Sequence, residues 1–304
     1  MLKKVDVVKN ILNNNQNNIA FIVGNGLNNY SANKSGNFNL SWEQMLKELW
    51  GKISHDELSY LPKGTSFTEF YDILELKNTL IKENPINLQK TVVELIRDWI
   101  PTDDHVNVLS KIRSFNAPLL TTNFDDIFTK ALMLKRYRIG IDGFTDIYPW
   151  TTYFSDSQFY NNLDNFAIWH INGMLDYHRS IRLGLSHYMQ SVSRVQALLH
   201  NDSLENLFFG KNQQNWAGKD SWLHIIFNKP LFIFGLGLEE NETFLRWLLL
   251  QRKGYFKLFP HREQEGWYIN KGLIDEGKRF YLEYVGFKII EMEEYVDIYE
   301  GIWE

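Results

Sequence analysis

The chain has no cysteine in its 304 residues. That absence excludes disulfides, thiol nucleophiles, cysteine-ligated zinc and iron–sulfur clusters. The eight histidines do not take over as ligands. His170, His178 and His187 are near one another in sequence, but their spacings match no compact metal motif, so no metal is expected. Positive charge is not in excess either: 32 Lys and Arg stand against 37 Asp and Glu, a formal net charge of −5. A nucleic-acid binder needs a basic face, and here the Lys and Arg are scattered. No apolar run reaches the roughly 18 residues of a membrane span. The segment Met1-Leu2-Lys3-Lys4-Val5-Asp6 lacks the apolar core of a signal peptide. A cytoplasmic protein with no membrane contact and no direct nucleic-acid binding is expected. Neither a Gly-x-Ser-x-Gly elbow nor a Walker A loop occurs to support a hydrolase or nuclease of unrelated mechanism.

What is there suits a large globular core: hydrophobic residues make up 44% and charged residues 23%. Residues 4–16 predict an amphipathic helix, with Val5, Val8, Ile11 and Leu12 on one face. Ile19-Ala20-Phe21-Ile22-Val23 and Ala117-Pro118-Leu119-Leu120 read as buried parallel strands. Phe166 to Ile171 and Leu231 to Phe234 read as a third and a fourth. Gly266 to Ile269 and Phe287 to Ile290 supply edge strands. Residues 29–40, rich in Asn, Ser and Gly, predict a loop over the site. Ser41 is the expected N-cap of a helix starting at Trp42. Helical patterning continues to about residue 115, far longer than a direct crossover needs. Helices are also expected over Asp126–Leu134, Ser186–His200, Ser203–Phe209 and through Leu248-Leu249-Leu250. The aromatic, turn-rich stretch 140–165 offers a contact surface. The expected fold is α/β: one domain spanning 1–304, a doubly wound, mostly parallel sheet with a helical insertion or subdomain at about 41–115.

Each of the four inner strands ends abruptly in small or polar residues. These ends are Gly24-Asn25-Gly26, Thr121-Thr122-Asn123-Phe124-Asp125, His170-Ile171-Asn172-Gly173 and Gly235-Leu236-Gly237-Leu238-Glu239. In an open α/β sheet such loops converge at the carboxyl edge of the strands. Glycines let backbone approach a phosphate, while amides, hydroxyls and a carboxylate can bond a ribose or a carboxamide. Gly24-Asn25-Gly26 alone is a turn, since it lacks the third glycine of the common dinucleotide fingerprint. The ordered set of four is the stronger signal.

In these loops the chain resembles the sirtuin-like family of NAD-consuming domains, in its bacterial anti-phage defence branch. Gly24-Asn25-Gly26-Leu27-Asn28 is similar to the glycine-rich loop that holds the NAD pyrophosphate. Thr121-Thr122-Asn123-Phe124-Asp125 resembles the family's Thr-Gln-Asn-x-Asp, which cradles nicotinamide and its ribose. Gly235-Leu236-Gly237 resembles the later loop near the adenosine ribose. Ser41-Trp42 is also similar to that branch, and the likeness runs over about residues 18–250. It implies a Rossmann-like fold and NAD+ glycohydrolase activity, with NAD as substrate and no metal. Asn123 and His170 would be catalytic. Gly24, Asn25, Gly26, Leu27, Asn28, Thr121, Thr122, Asp125, Asn172, Gly235, Gly237 and Glu239 would bind NAD. A homo-oligomer, a regulatory partner from the same defence operon, or both, would control it.

Two departures from the family are visible. Deacylases of this family carry a four-cysteine zinc module, absent here, which argues against deacylation. The family's histidine directly precedes the glycine; here Asn172 holds that position and His170 lies two residues earlier. Positions i and i+2 of a strand share a face, so His170 either reaches the cleft or packs in the core. Asn123 and Asp125 can equally cap the following helix. Glu239 and Glu240 can serve only a helix N-terminus. Tyr188, Arg182 and Arg194 are either structural or line the cleft. The alternative function is an inactive NAD or ADP-ribose sensor that gates a partner.

Overall fold

The computed structural model describes residues 3–36, 39–54, 56–80, 85–140, 148–200, 205–209 and 213–304. The strands are three to six residues long, apolar at the sheet's centre and mixed toward its edges. They are β1 (Ala20–Val23), β2 (Leu119–Thr121), β3 (Lys135–Arg138), β4 (Thr152–Ser155), β5 (Ile168–His170), β6 (Leu231–Phe234), β7 (Gly266–Lys271) and β8 (Phe287–Met292). They pair in the order β3-β4-β5-β2-β1-β6-β7-β8. From β5 through to β8 the pairing is parallel, while β3, β4 and β5 pair antiparallel. This is a Rossmann-like α/β sheet.

Both faces of the sheet's centre are covered, which is why β1 and β6 are apolar and buried at every position. Phe21 and Val23 enter one layer with Val8 and Leu12 of α1 (Lys4–Asn14) and with Val108 and Ile112 of α6 (Asp103–Ser114). Ala20 and Ile22 enter the opposite layer. That layer is built by α8 (Leu185–His200), α9 (Trp222–Asn228), α10 (Thr243–Leu258) and α11 (Glu276–Tyr284). After β1 the chain adds β2 beside it, crosses to the far edge at β3 and comes back through β4 to β5, next to β2. It then returns to add β6 on the other side of β1. The point where the order reverses therefore lies between β1 and β6, where connections diverge and a crevice opens.

The helices α3 (Trp42–Ser54), α4 (Phe67–Leu80) and α5 (Leu88–Ile96) pack around an apolar cluster of their own, including Leu46, Leu49, Tyr71, Leu74 and Val92. Ser41 and Gln44 form a reciprocal cap at the start of α3, with Gln44 N–H donating to Ser41 Oγ at 3.2 Å and Ser41 N–H to Gln44 Oε1 at 2.9 Å. Of the insertion expected at about 41–115, α6 packs on the sheet rather than with these three.

Two expectations are corrected. Residues 29–40 are not mainly a loop: α2 spans Gly26–Ser35 and stops at Gly36, whose φ is +72°. Its buried face is Leu27, Asn28 and Ser31, two of them polar, so no apolar periodicity marks it. The helix expected over Asp126–Leu134 is only α7 (Ile127–Ala131); Met133 turns to φ +53° and β3 follows. In the stretch 140–165, Tyr148, Trp150, Tyr153 and Phe159 are buried and β4 runs through it, while Tyr160 is exposed. Residues 141–147 lie outside the described residues, as do 203 and 204 of the expected Ser203–Phe209 helix, where Leu207–Phe209 forms a short 3₁₀ turn. Among the described residues no helix is long and apolar enough to cross a membrane.

Candidate active site

A cavity of about 880 Å³ lies at the carboxyl edge of the sheet, over the switch point. All four strand-end loops reach it, through Asn25 and Gly26, Thr122, Asn123 and Asp125, Asn172, and Gly235 and Gly237. The helical cluster closes one side with Trp42, Met45 and Ile96, and Trp99 follows α5. The far end is lined by Asn270 and Lys271 at the end of β7 and by Tyr295 and Tyr299 of α12 (Tyr295–Tyr299).

The glycines have a geometric cause. Gly26 N–H donates to Gly235 O at 2.7 Å, drawing the β1 and β6 loops together. A Cβ on Gly26 would lie 2.6 Å from Gly235 Cα and 2.3 Å from the Tyr299 hydroxyl. No side chain fits there. Gly24 likewise meets Leu236 and the Gly235 carbonyl. The start of α2 thus lies at the cavity, which Asn25 and Gly26 line, and a helix start favours anions.

Asn123 is held by three strands at once. Its backbone N–H donates to Thr121 Oγ1 at 3.1 Å, and its Nδ2 donates to Gly24 O at 3.4 Å. Its carbonyl accepts from His170 Nδ1 at 2.8 Å. Its amide oxygen has no hydrogen-bond partner among the described residues. Asp125 joins β2 to α2. Its oxygens accept from Asn28 Nδ2 at 3.1 Å and from Ile127 N–H at 3.0 Å. Burial lifts its carboxyl to about 6. Behind it, Thr102 N–H donates to His105 Nδ1, so the proton sits on Nε2 and is donated to Asn28 Oδ1 at 3.1 Å. The Asn28 amide is thereby oriented to donate to Asp125. Burial holds His105 down at about 4, which keeps this chain of donors neutral.

The histidine departure takes a definite form. His170 is 2% exposed and is not among the residues lining the cavity. Burial lowers its affinity for a proton, and its ring meets Phe154 edge-on at 5.6 Å. It supports the Asn123 backbone rather than facing the space. Asn172, at 5% exposure, does line the cavity, and its side-chain amide has no partner among the described residues. Gly173, at φ +98°, turns the chain there, and its missing Cβ would lie 2.3 Å from Ser180 O.

The remaining sequence candidates divide clearly. Gly24, Leu27, Asn28 and Thr121 hold the loops in place without lining the cavity. Glu239 turns to an ion pair with Lys278. Arg182 and Tyr188 line the cavity, and Arg194 does not. Arg182 N–H donates to Asn172 O at 2.8 Å, and its guanidinium lies 4.9 Å from the Tyr148 ring centroid. Glu242, at the start of α10, also lines the cavity and was not singled out in the sequence. The wall from β7, α12 and the helical cluster was missed too, apart from Trp42. Lys271 ends a strand at the same sheet edge, which is the signal that could have found it. No protein-family model matches the chain, and a search of curated proteins finds no match. Among the described residues no group of three or more His, Asp or Glu could hold a metal ion.

Proposed function

We propose that the cavity binds NAD+ and that the chain cleaves its nicotinamide–ribosyl bond, as an NAD-depleting effector in bacterial anti-phage defence. The observation that carries this reading is a set of polar side-chain atoms that open on the cavity with no protein partner among the described residues. The Asn123 amide oxygen, the Asn172 amide and the Tyr188 hydroxyl have no hydrogen-bond partner among the described residues. Open on the cavity and unpaired by protein, they can bond a polar ligand, and among the described residues the buried unpartnered atoms of the lining are Trp42 Nε1, Trp99 Nε1 and Arg182 Nε. The glycine junction and the start of α2 suit a pyrophosphate, and the amides suit a carboxamide, a ribose hydroxyl or a water. The defence setting rests on the family resemblance alone, as does control by a homo-oligomer or a regulatory partner.

Cleavage needs little covalent machinery. The C1′–N bond breaks with its electron pair passing to the pyridinium ring, which leaves as neutral nicotinamide. Water oxygen bonds to C1′ and gives up a proton. Charge develops on the ribosyl carbon in between, and fixed amide dipoles such as those of Asn123 and Asn172 stabilise it without reorganising.

The test is to incubate purified protein with NAD+, alone and with proteins encoded beside it, and to follow nicotinamide. Wild type releases it, EDTA has no effect, and Asn123→Ala loses about 10²-fold or more in rate while remaining folded. Undiminished release from folded Asn123→Ala contradicts the site. One observation favours a second reading: His170 is off the wall and Asn172 is on it. In that reading the chain binds NAD or ADP-ribose uncleaved and gates a partner; tight binding with no release in every arm would support it.

A further inference from the structure

A reaction that takes a proton from water at the cavity needs a group able to receive it. Neither asparagine titrates. His170 and His105 are off the wall. Asp125 already accepts two hydrogen bonds that tie β2 to α2 and to α7. Lys34 is committed to Asp104 and Glu300, and Lys271 to Glu294. One carboxylate on the wall is uncommitted. Glu242 has neither a hydrogen bond nor an ion pair for its side chain among the described residues.

Its backbone is fixed. Glu242 N–H donates to Glu239 O at 2.9 Å, and Glu242 O accepts from Arg246 N–H at 2.9 Å. The neighbouring Asn241 Oδ1 accepts from Phe67 N–H at 2.9 Å, which ties this turn to α4 of the helical cluster. The wall continues from Glu242 to Tyr188, whose hydroxyl feels its charge, then to Arg182, which bonds Asn172. Tyr188 is 2% exposed and its hydroxyl has no partner among the described residues, a second group on this wall open to a ligand.

From this geometry we infer that the Glu242 carboxylate is the general base of the site, taking the proton of the water that attacks C1′ of the bound dinucleotide. This rests on the proposed NAD+ cleavage and assigns it a catalytic residue. Water oxygen bonds to C1′ as the C1′–N bond breaks, the pair leaving with nicotinamide, and the water proton passes to a Glu242 oxygen and then to solvent. The groups facing the carboxylate are Tyr188 from α8 and Glu239 from the preceding turn, with Arg246 one turn along α10 and Arg182 beyond Tyr188. Arg246 is turned away: its guanidinium donates to Leu238 O and lies 4.2 Å from the Tyr281 ring centroid. Burial, with the charge of Glu239 nearby, raises the Glu242 carboxyl to about 7. A base at that value is half-ionised at neutral pH, the condition in which proton transfer is most effective.

The experiment compares wild type, Glu242→Gln and Glu242→Asp for nicotinamide release and NAD+ affinity, from about pH 5.5 to about pH 8.5. Wild-type rate falls about tenfold per pH unit below about 7. Glu242→Gln loses about 10²–10⁴-fold in rate, loses the acidic limb and keeps its NAD+ affinity. Glu242→Asp keeps a limb and part of the rate, which guards against a folding defect in the Gln variant. A wild-type rate and limb in Glu242→Gln would overturn the assignment, as would a loss confined to affinity. Tight NAD+ binding by wild type with no nicotinamide release, alone or with proteins encoded beside it, would overturn cleavage itself and the base with it.

Discussion

His170 and Asn172 differ in one respect that decides their roles: which of them touches the cavity. His170 donates through Nδ1 to the Asn123 carbonyl and is buried against Phe154. Replacing it with Ala removes that bond and leaves a void. His170→Ala is expected to cost about 2–4 kcal/mol of stability, read as a lower midpoint in denaturant. Its rate of nicotinamide release per folded molecule should fall less than that of Asn123→Ala. A fall of about 10²–10⁴-fold at unchanged stability would mean that His170 reaches the reacting atoms. The polar endings of β2 and β5 were legible in the sequence, because apolar runs stop abruptly at Asn123 and Asn172. Whether the histidine or the asparagine faces the ligand was not, because i and i+2 share a face only while the strand runs straight. Glu242 was illegible because nearby Glu239 and Glu240 read as helix-terminal carboxylates, and only packing against Tyr188 distinguishes it.

Among elements, the junction of the β1 and β6 loops is the most tightly specified. Gly26→Ala drives a methyl group into Gly235 and Tyr299. It should destabilise by about 1–3 kcal/mol and weaken NAD+ binding, since the start of α2 must shift. A calorimetric titration reads the affinity; unchanged binding at wild-type stability would show that the junction has slack. The inner parallel strands were predictable because both faces are buried, so β1 and β6 are wholly apolar and β2 and β5 turn polar only at their last residue. The elements that escaped have mixed signals. β3 is Lys-Arg-Tyr-Arg on the sheet edge, with two exposed positions. α2 hides its helical period behind Asn28 and Ser31, whose partners Asp125, His105 and Thr102 come from distant sequence. α9 is a short run of mainly apolar residues, which periodicity alone does not distinguish from a strand.

For the molecule as a whole, buried titratable groups set how stability depends on pH. His105, His187 and His224 are each held from an ordinary 6.5 down to about 4, chiefly by burial, and His170 is lowered for the same reason. Their contribution is present above about 6.5 and is lost as pH falls toward about 4. Asp125 and Glu242 act the other way: raised to about 6 and about 7, they favour the fold as pH falls through those values. Four depressed imidazoles outweigh the raised carboxyls, to which half-buried Glu75 adds a third. The thermal midpoint should therefore drop on the order of 5–10 °C between about pH 6.5 and about pH 4.5. Scanning calorimetry across that range checks it, and a midpoint that holds or rises would show that the histidines gain partners when protonated.

Cleavage of NAD+ at this cavity is tested most directly by running the reaction in oxygen-18 water and analysing the products by mass spectrometry. Wild type, alone or with proteins encoded beside it, should yield nicotinamide and ADP-ribose in equal amounts. One heavy oxygen should appear on the ADP-ribose and none on the nicotinamide, and Asn123→Ala should yield neither product. Recovery of intact NAD+ from protein that binds it, in every arm, would contradict the cleavage.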